Sequence, residues 1–321
     1  MTYALPALRP RRLTGLTWTV FRLHRLTLWT WTGVVLATTG LLLWLYGPGA
    51  DAAARELARC TGTCEPTNGA YDTYEALYGL TTAVISATPY LAAIFIGGLC
   101  TGRQLEQGTA QLTWVQSVSP TRWLATTLAV PAAWFLTGLV PLVVLHRLVW
   151  SSGPLPAADH AWHDPDVFAF TGPLPFARVL LGLGAGALAG VLYRKTAAAA
   201  LAGIPVLLVV GTLGMRYRPS LWPTVTDTGR KALNPPADAD VLVHGAVLRG
   251  TGERLTNDNA CVGTDSAADL HRCTQKFQDF WVTYHPKSHY WPLQLAETSV
   301  VLILAALATA VAFRLLKRRT A

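Results

Sequence analysis

The sequence predicts an all-α polytopic membrane protein: six transmembrane helices, an N-terminal interfacial helix, and a long extracellular segment between spans five and six. Three observations carry that expectation. Of 321 residues, 51% are hydrophobic and 14% charged, whereas soluble domains carry about 25% charged residues. The apolar residues gather into runs long enough to cross a bilayer instead of forming a 3.6-residue stripe. Lys and Arg bunch at the ends of those runs, the distribution that membrane topology imposes. The net charge of +8 therefore speaks for a lipid boundary and against nucleic acid.

Residues 1–26 hold Arg9, Arg11, Arg12, Arg22 and Arg25 and no acid. On a helix starting near Leu13, Leu13, Leu16, Val20 and Leu23 share one face and Arg22, Arg25 and Trp18 the other, which predicts a helix lying along the inner leaflet. His24 sits at its apolar edge and reads as a packed, hydrogen-bonded side chain. No cleavable signal is expected, because the first apolar run is too long for a signal h-region.

The membrane part spans 27–214. Span one, about Thr27–Tyr46, has Trp29, Trp31, Trp44 and Tyr46 near its ends as interfacial aromatics, and Gly47-Pro48-Gly49 is expected to stop it. A net negative loop, 50–78, leads to span two, about Leu80–Leu99. The polar stretch 101–123 separates it from span three, about Trp123–Leu145, whose Pro131 and Pro141 are tolerable where neighbouring helices shield the freed carbonyls. A second outer loop, 146–173, precedes span four, about Phe176–Tyr193. Its Gly182, Gly186 and Gly190 recur every four residues, a row that lets another helix approach closely, within this chain or in a second one. The turn at Arg194-Lys195 leads to span five, about Ala197–Gly214. The segment 215–292 follows, then span six, 293–313, and a basic tail, 314–321.

The short segments all vote for one orientation. Lys and Arg lie in the N-terminus, at Arg103 and Arg122, at Arg194 and Lys195, and in the tail, so both termini are expected in the cytoplasm of a bacterial cell. The segment 215–292 is too long for its own charges to decide its side. Cys60, Cys64, Cys261 and Cys273 then fall outside, where disulfides persist. Four cysteines allow three pairings; Cys60–Cys64 and Cys261–Cys273 are the local ones, and free thiols at 60 and 64 remain an alternative.

No GxxxxGK[ST] phosphate loop, HExxH or Gly-x-Ser-x-Gly elbow is present. Few ionisable groups fall in the spans: Arg178 and Glu297 lie near the ends of the fourth and sixth. A carrier driven by an ion gradient usually needs buried acids or histidines. If this chain transports, the energy is expected from another subunit.

The stretch 101–123 is the most informative. Glu106-Gln-Gly108-Thr109, then Leu112-Thr-Trp114-Val-Gln116-Ser117-Val118-Ser119 and Arg122-Trp123, resembles the first cytoplasmic loop of actinobacterial ABC transporter permeases with six spans per half-transporter. Gly15-Leu16-Thr17-Trp18 with Arg22-x-His24-Arg25 is similar to the start of that family. Thr283-Tyr284-His285-Pro286 through Trp291-Pro292-x-Gln294 and Glu297 is similar to the approach to its last span. Pro120 departs from it, standing where the family tends to carry a basic residue.

The resemblance implies a permease subunit without a nucleotide site of its own, and therefore not an enzyme. No cofactor is expected on this chain; ATP and Mg belong to a separate cytoplasmic ABC ATPase. The loop would be a coupling helix seated on that ATPase through Arg103, Glu106, Gly108, Thr109, Trp114 and Arg122. Six spans make half a pathway, so a homodimer or a heterodimer with a similar permease is implied. Members mostly export drugs, peptides or lipidic compounds, and the nearly uncharged spans suit an apolar or amphipathic cargo.

Glu297 is a candidate for a cationic group on the cargo, or else caps its helix, where the dipole favours an acid. Asp159-His160-x-x-His163-Asp164 offers zinc-ligand types, but a solvated loop is expected there and no metal is assigned. Two rival readings stay open: a metal-dependent membrane enzyme acting at the outer face through His160 and His163, and a membrane sensor or immunity protein whose outer segment binds a ligand.

Overall fold

The computed structural model describes residues 22–59, 69–116, 118–154, 160–256, 275 and 277–320. The expected interfacial helix before residue 22, Asp159, and the four cysteines 60, 64, 261 and 273 lie outside the described residues. Among the described residues the longer helices, in chain order, are α1 (Arg25–Arg59), α2 (Ala70–Glu106), α3 (Thr109–Val115), α4 (Pro120–Ser152), α5 (Pro165–Phe170), α6 (Leu174–Tyr193), α7 (Thr196–Tyr217) and α8 (Tyr290–Thr320). Six of them, all but α3 and α5, are long and apolar enough to cross a membrane.

The helices run further than hydropathy alone indicates. Gly47-Pro48-Gly49 does not end α1; the chain passes it in a π-turn, Leu45–Gly49, and continues as Ala50–Arg59. Proline offers no N–H and its ring crowds the carbonyl four residues back, and a widened turn accommodates both. α2 begins at Ala70, so most of the loop expected over 50–78 is helix. Glu56 ties the two ends by accepting a 3.0 Å hydrogen bond from the Tyr71 amide.

α4 likewise continues past Leu145 to Ser152, which puts His146 and Arg147 inside a span. His146 is fully buried, stacks on Tyr78 with ring centroids 4.6 Å apart, and lies 2.9 Å from the Thr82 hydroxyl. Hydropathy misplaces this residue because one imidazole and one guanidinium lower the average, while helix continuation depends on backbone hydrogen bonds.

α6 is the centre of the bundle: 67% of its apolar window is buried, against 22% in α1, 17% in α7 and 22% in α8. The glycine row explains how. A Cβ at Gly182 would overlap the Pro89 carbonyl oxygen, one at Gly186 the Ala93 carbonyl oxygen, and one at Gly190 the Thr101 hydroxyl. The row therefore packs on α2 of the same chain, the first of the two contacts the sequence left open. α2 loosens into a π-helix at Phe95–Gly102 along this contact, where the Thr101 hydroxyl donates to Ile96 O at 2.7 Å. The outer helices α1, α7 and α8 present exposed leucines such as Leu36, Leu208 and Leu307, a surface that lipid tails satisfy.

The segment after α7 adds a structure the sequence did not announce. β1 (Val225–Thr228), β2 (Asp240–Leu248), β3 (Arg254–Thr256) and β4 (Phe277–His285) form an antiparallel sheet in the order β1-β4-β2-β3. β2 and β4 are rich in valine and aromatics, which suit a pleated, half-buried surface. Pairing runs from Asp240 opposite His285 to Leu248 opposite Phe277. The sheet is moored to the bundle where the Trp162 indole donates to Asp238 O at 2.7 Å.

The molecule thus has two unlike ends. One carries the sheet, α5 and the Glu56–Tyr71 contact. The other carries α3, the Arg194-Lys195 turn, and the tail, where Arg319 donates to Val191 O.

Candidate functional site

At the end opposite the sheet, the chain leaves α2 at Glu106, reverses at Gly108, forms α3 and enters α4. Gly108 has φ +71°, the left-handed region that costs L-residues about 1–2 kcal/mol. Ser119 caps α4, its hydroxyl accepting from Arg122 N at 3.3 Å, with Pro120 in the first turn. Proline is favoured there because its missing N–H would have no helical partner anyway. The departure at Pro120 is thus a helix start.

α3 has two faces. Ala110 is buried, and Trp114 packs edge-on against Trp123 with centroids 5.7 Å apart. Trp123 in turn donates from its indole to Gln104 Oε1 at 3.0 Å. The opposite face leaves Leu112 65% and Val115 86% exposed. Two large apolar side chains are thus held out by a helix whose other side is fixed.

The structure separates the six expected loop residues into roles. Arg103 and Arg122 are exposed and flank the element. Thr109 donates from its hydroxyl to Gln104 O at 3.2 Å, closing the turn. Glu106 reaches across to the start of α7: its carboxylate accepts from the Thr196 amide at 2.8 Å and from the Thr196 hydroxyl. It thereby satisfies an orphan donor of the α7 N-terminus and places negative charge where the helix dipole favours it. Nearby, His24 is buried, edge-on to Phe95, with Nε2 3.6 Å from Cys100 Sγ. Burial, reinforced by the Arg103 guanidinium, holds its imidazole below the ordinary pKa.

At the sheet end, Glu297 neither caps α8 nor stands free. It lies in the second turn of α8, and its carboxylate is shared by Arg218 Nε at 2.9 Å and Arg178 Nη2 at 3.4 Å. Sequence reasoning placed Arg178 and Glu297 near span ends but did not bring them together with Arg218. The signal was there: all three are ionisable residues at the same end of spans four, five and six. His160 and His163 do not converge. His163 Nδ1 lies 3.7 Å from Asp240 and 3.9 Å from Asp164, and among the described residues no group of three or more His, Cys, Asp or Glu is placed to hold a metal.

A bundle of six membrane-length helices, with a short helix at one end and a four-stranded sheet at the other, defines a polytopic membrane protein. The sequence comparison makes this specific: the ABC-2 membrane transporter related family model matches residues 32–217. The match covers more than half of the chain, from α1 through α7, and the chain belongs to that family. It is an ABC transporter permease of the ABC-2 type, a transport subunit. No curated protein and no solved structure matches it.

Proposed function

We propose that this chain is the membrane half of an ATP-driven exporter, moving an apolar or amphipathic compound with energy from a separate cytoplasmic ABC ATPase. In this reading α3 is the coupling helix, ATP and Mg act on the ATPase, and both termini lie in the cytoplasm of a bacterial cell. A second permease chain, identical or similar, completes the pathway.

The observation that carries the proposal is the exposed Leu112–Val115 face of α3, braced from behind by Trp114, Trp123 and Gln104. A rigid, apolar-tipped helix transmits the displacement of a partner to the spans it joins. Glu106, the last residue of α2 before the turn into α3, extends that path to α7, so movement at this corner is passed to a helix that starts 90 residues further along the chain.

Affinity purification from native membranes in mild detergent, followed by mass spectrometry, tests this reading. Wild type should bring down a soluble ABC ATPase, and a Leu112→Glu, Val115→Glu double variant should not. Both side chains are exposed, so the variant should keep the wild-type melting temperature. Recovery of no ATPase with wild type under gentle cross-linking would defeat the proposal.

A further inference from the structure

Arg178 of α6, Arg218 at the end of α7 and Glu297 of α8 are, respectively, 17%, 10% and 4% exposed. Two guanidiniums share one carboxylate, so a positive charge is left over in a nearly closed site. Burying an uncompensated charge is costly, and in a membrane protein an ionisable group at such a place marks function by default. Part of the compensation is visible: the Arg218 guanidinium lies over the Phe168 ring, its central carbon 3.9 Å from the centroid, a cation–π contact. It is incomplete, because Arg218 Nη2 is buried and donates to nothing among the described residues.

Arg178 also faces open space. With Ser86 and Tyr90 of α2 and Leu207 and Gly211 of α7 it lines a cleft of about 150 Å³. Polar groups on one wall and apolar helix surface on the other suit a small head group, and leave a longer tail outside, along the apolar surface of α7. A cation is disfavoured here, because the charged group lining the cleft is the Arg178 guanidinium and the carboxylate behind it is already shared by two arginines.

We propose that this cleft binds the anionic head group, phosphate or carboxylate, of an amphipathic compound. Arg178 is the direct contact, and Glu297 and Arg218 hold it in place. The inference rests on the permease reading, whose cargo class it narrows.

The test uses the full chain in nanodiscs of phosphatidylcholine without ATPase, so its failure leaves the ATPase-capture result standing. Binding of oleate, oleoyl-lysophosphatidic acid, inorganic phosphate and hexadecyltrimethylammonium is measured for wild type, Arg178→Gln, Arg178→Lys and Gly211→Leu. The last variant fills the cleft from a position where a Cβ meets nothing within 4 Å, so it reports on the cleft even if Arg178→Gln folds poorly. Both anionic amphipaths should bind wild type, at least tenfold more weakly in Arg178→Gln and Gly211→Leu, with Arg178→Lys in between. Competition by inorganic phosphate would assign recognition to the head alone; Arg178-dependent binding without that competition would make the tail part of the site, and either supports the proposal. Unchanged binding of the anionic amphipaths by both Arg178→Gln and Gly211→Leu, or preferred binding of the cationic amphipath, would overturn it.

Discussion

Glu297 illustrates how a residue's role depends on what reaches it. Buried beside two arginines, it holds three helices together, and removing its charge leaves the guanidiniums facing each other. Breaking a buried pair in this way costs about 3–5 kcal/mol, so Glu297→Gln should lower the melting temperature in detergent markedly. An unchanged melting curve would mean that the cluster carries no structural load. Glycines make a second, paired expectation. Gly186→Ala drives a Cβ into the Ala93 carbonyl, whereas Gly40→Ala meets nothing within 4 Å. Overpacking costs about 1–3 kcal/mol, while alanine is favoured over glycine in an open helix position by up to about 1 kcal/mol. Thermal denaturation should therefore show the first variant destabilised and the second neutral or slightly stabilised.

Among elements, α3 and the Glu106 latch that ties the adjoining end of α2 to α7 carry the proposed mechanism. Leu112 and Val115 supply the docking face, but Glu106 points the other way, into the chain's own α7 N-terminus. Docking and transmission are then separable. Glu106→Ala should still recover the ATPase, yet transport per ATP hydrolysed should fall, by a coupling loss of about 0.5–2 kcal/mol. Transport and ATPase assays on the same reconstituted preparation check this, and normal stoichiometry would remove Glu106 from the path. The sequence marked this stretch as the most informative and gave its six residues to the partner, without placing Glu106 beside Thr196. The difference arises because the Glu106–Thr196 contact joins positions 90 residues apart, which no local pattern encodes.

At the scale of the whole molecule the asymmetry of the two ends makes orientation testable. A short epitope inserted between Gly250 and Thr251, at a turn where Gly250 has φ +100° and open space, should be bound by antibody on intact spheroplasts. The same epitope fused after the tail should be reached only after permeabilisation. The reverse pattern would invert the topology and place α3 on the wrong side for a cytoplasmic ATPase.

The six spans and the short polar stretch between the second and third were legible from the chain alone. Transfer of apolar runs into lipid is a local property, additive along the sequence, and the backbone of such a run has little choice but to form a helix. The helix limits were less legible, because Pro48 and His146 lower the local signal without ending the helix. Side-chain partnership was not legible. That Glu297 meets Arg178 and Arg218, that the glycine row of α6 faces α2, and that Phe277–His285 pairs with Asp240–Leu248 are facts of close packing between distant segments. Packing is short-ranged and depends on how whole helices and strands are seated against one another, so the tertiary structure alone decided them.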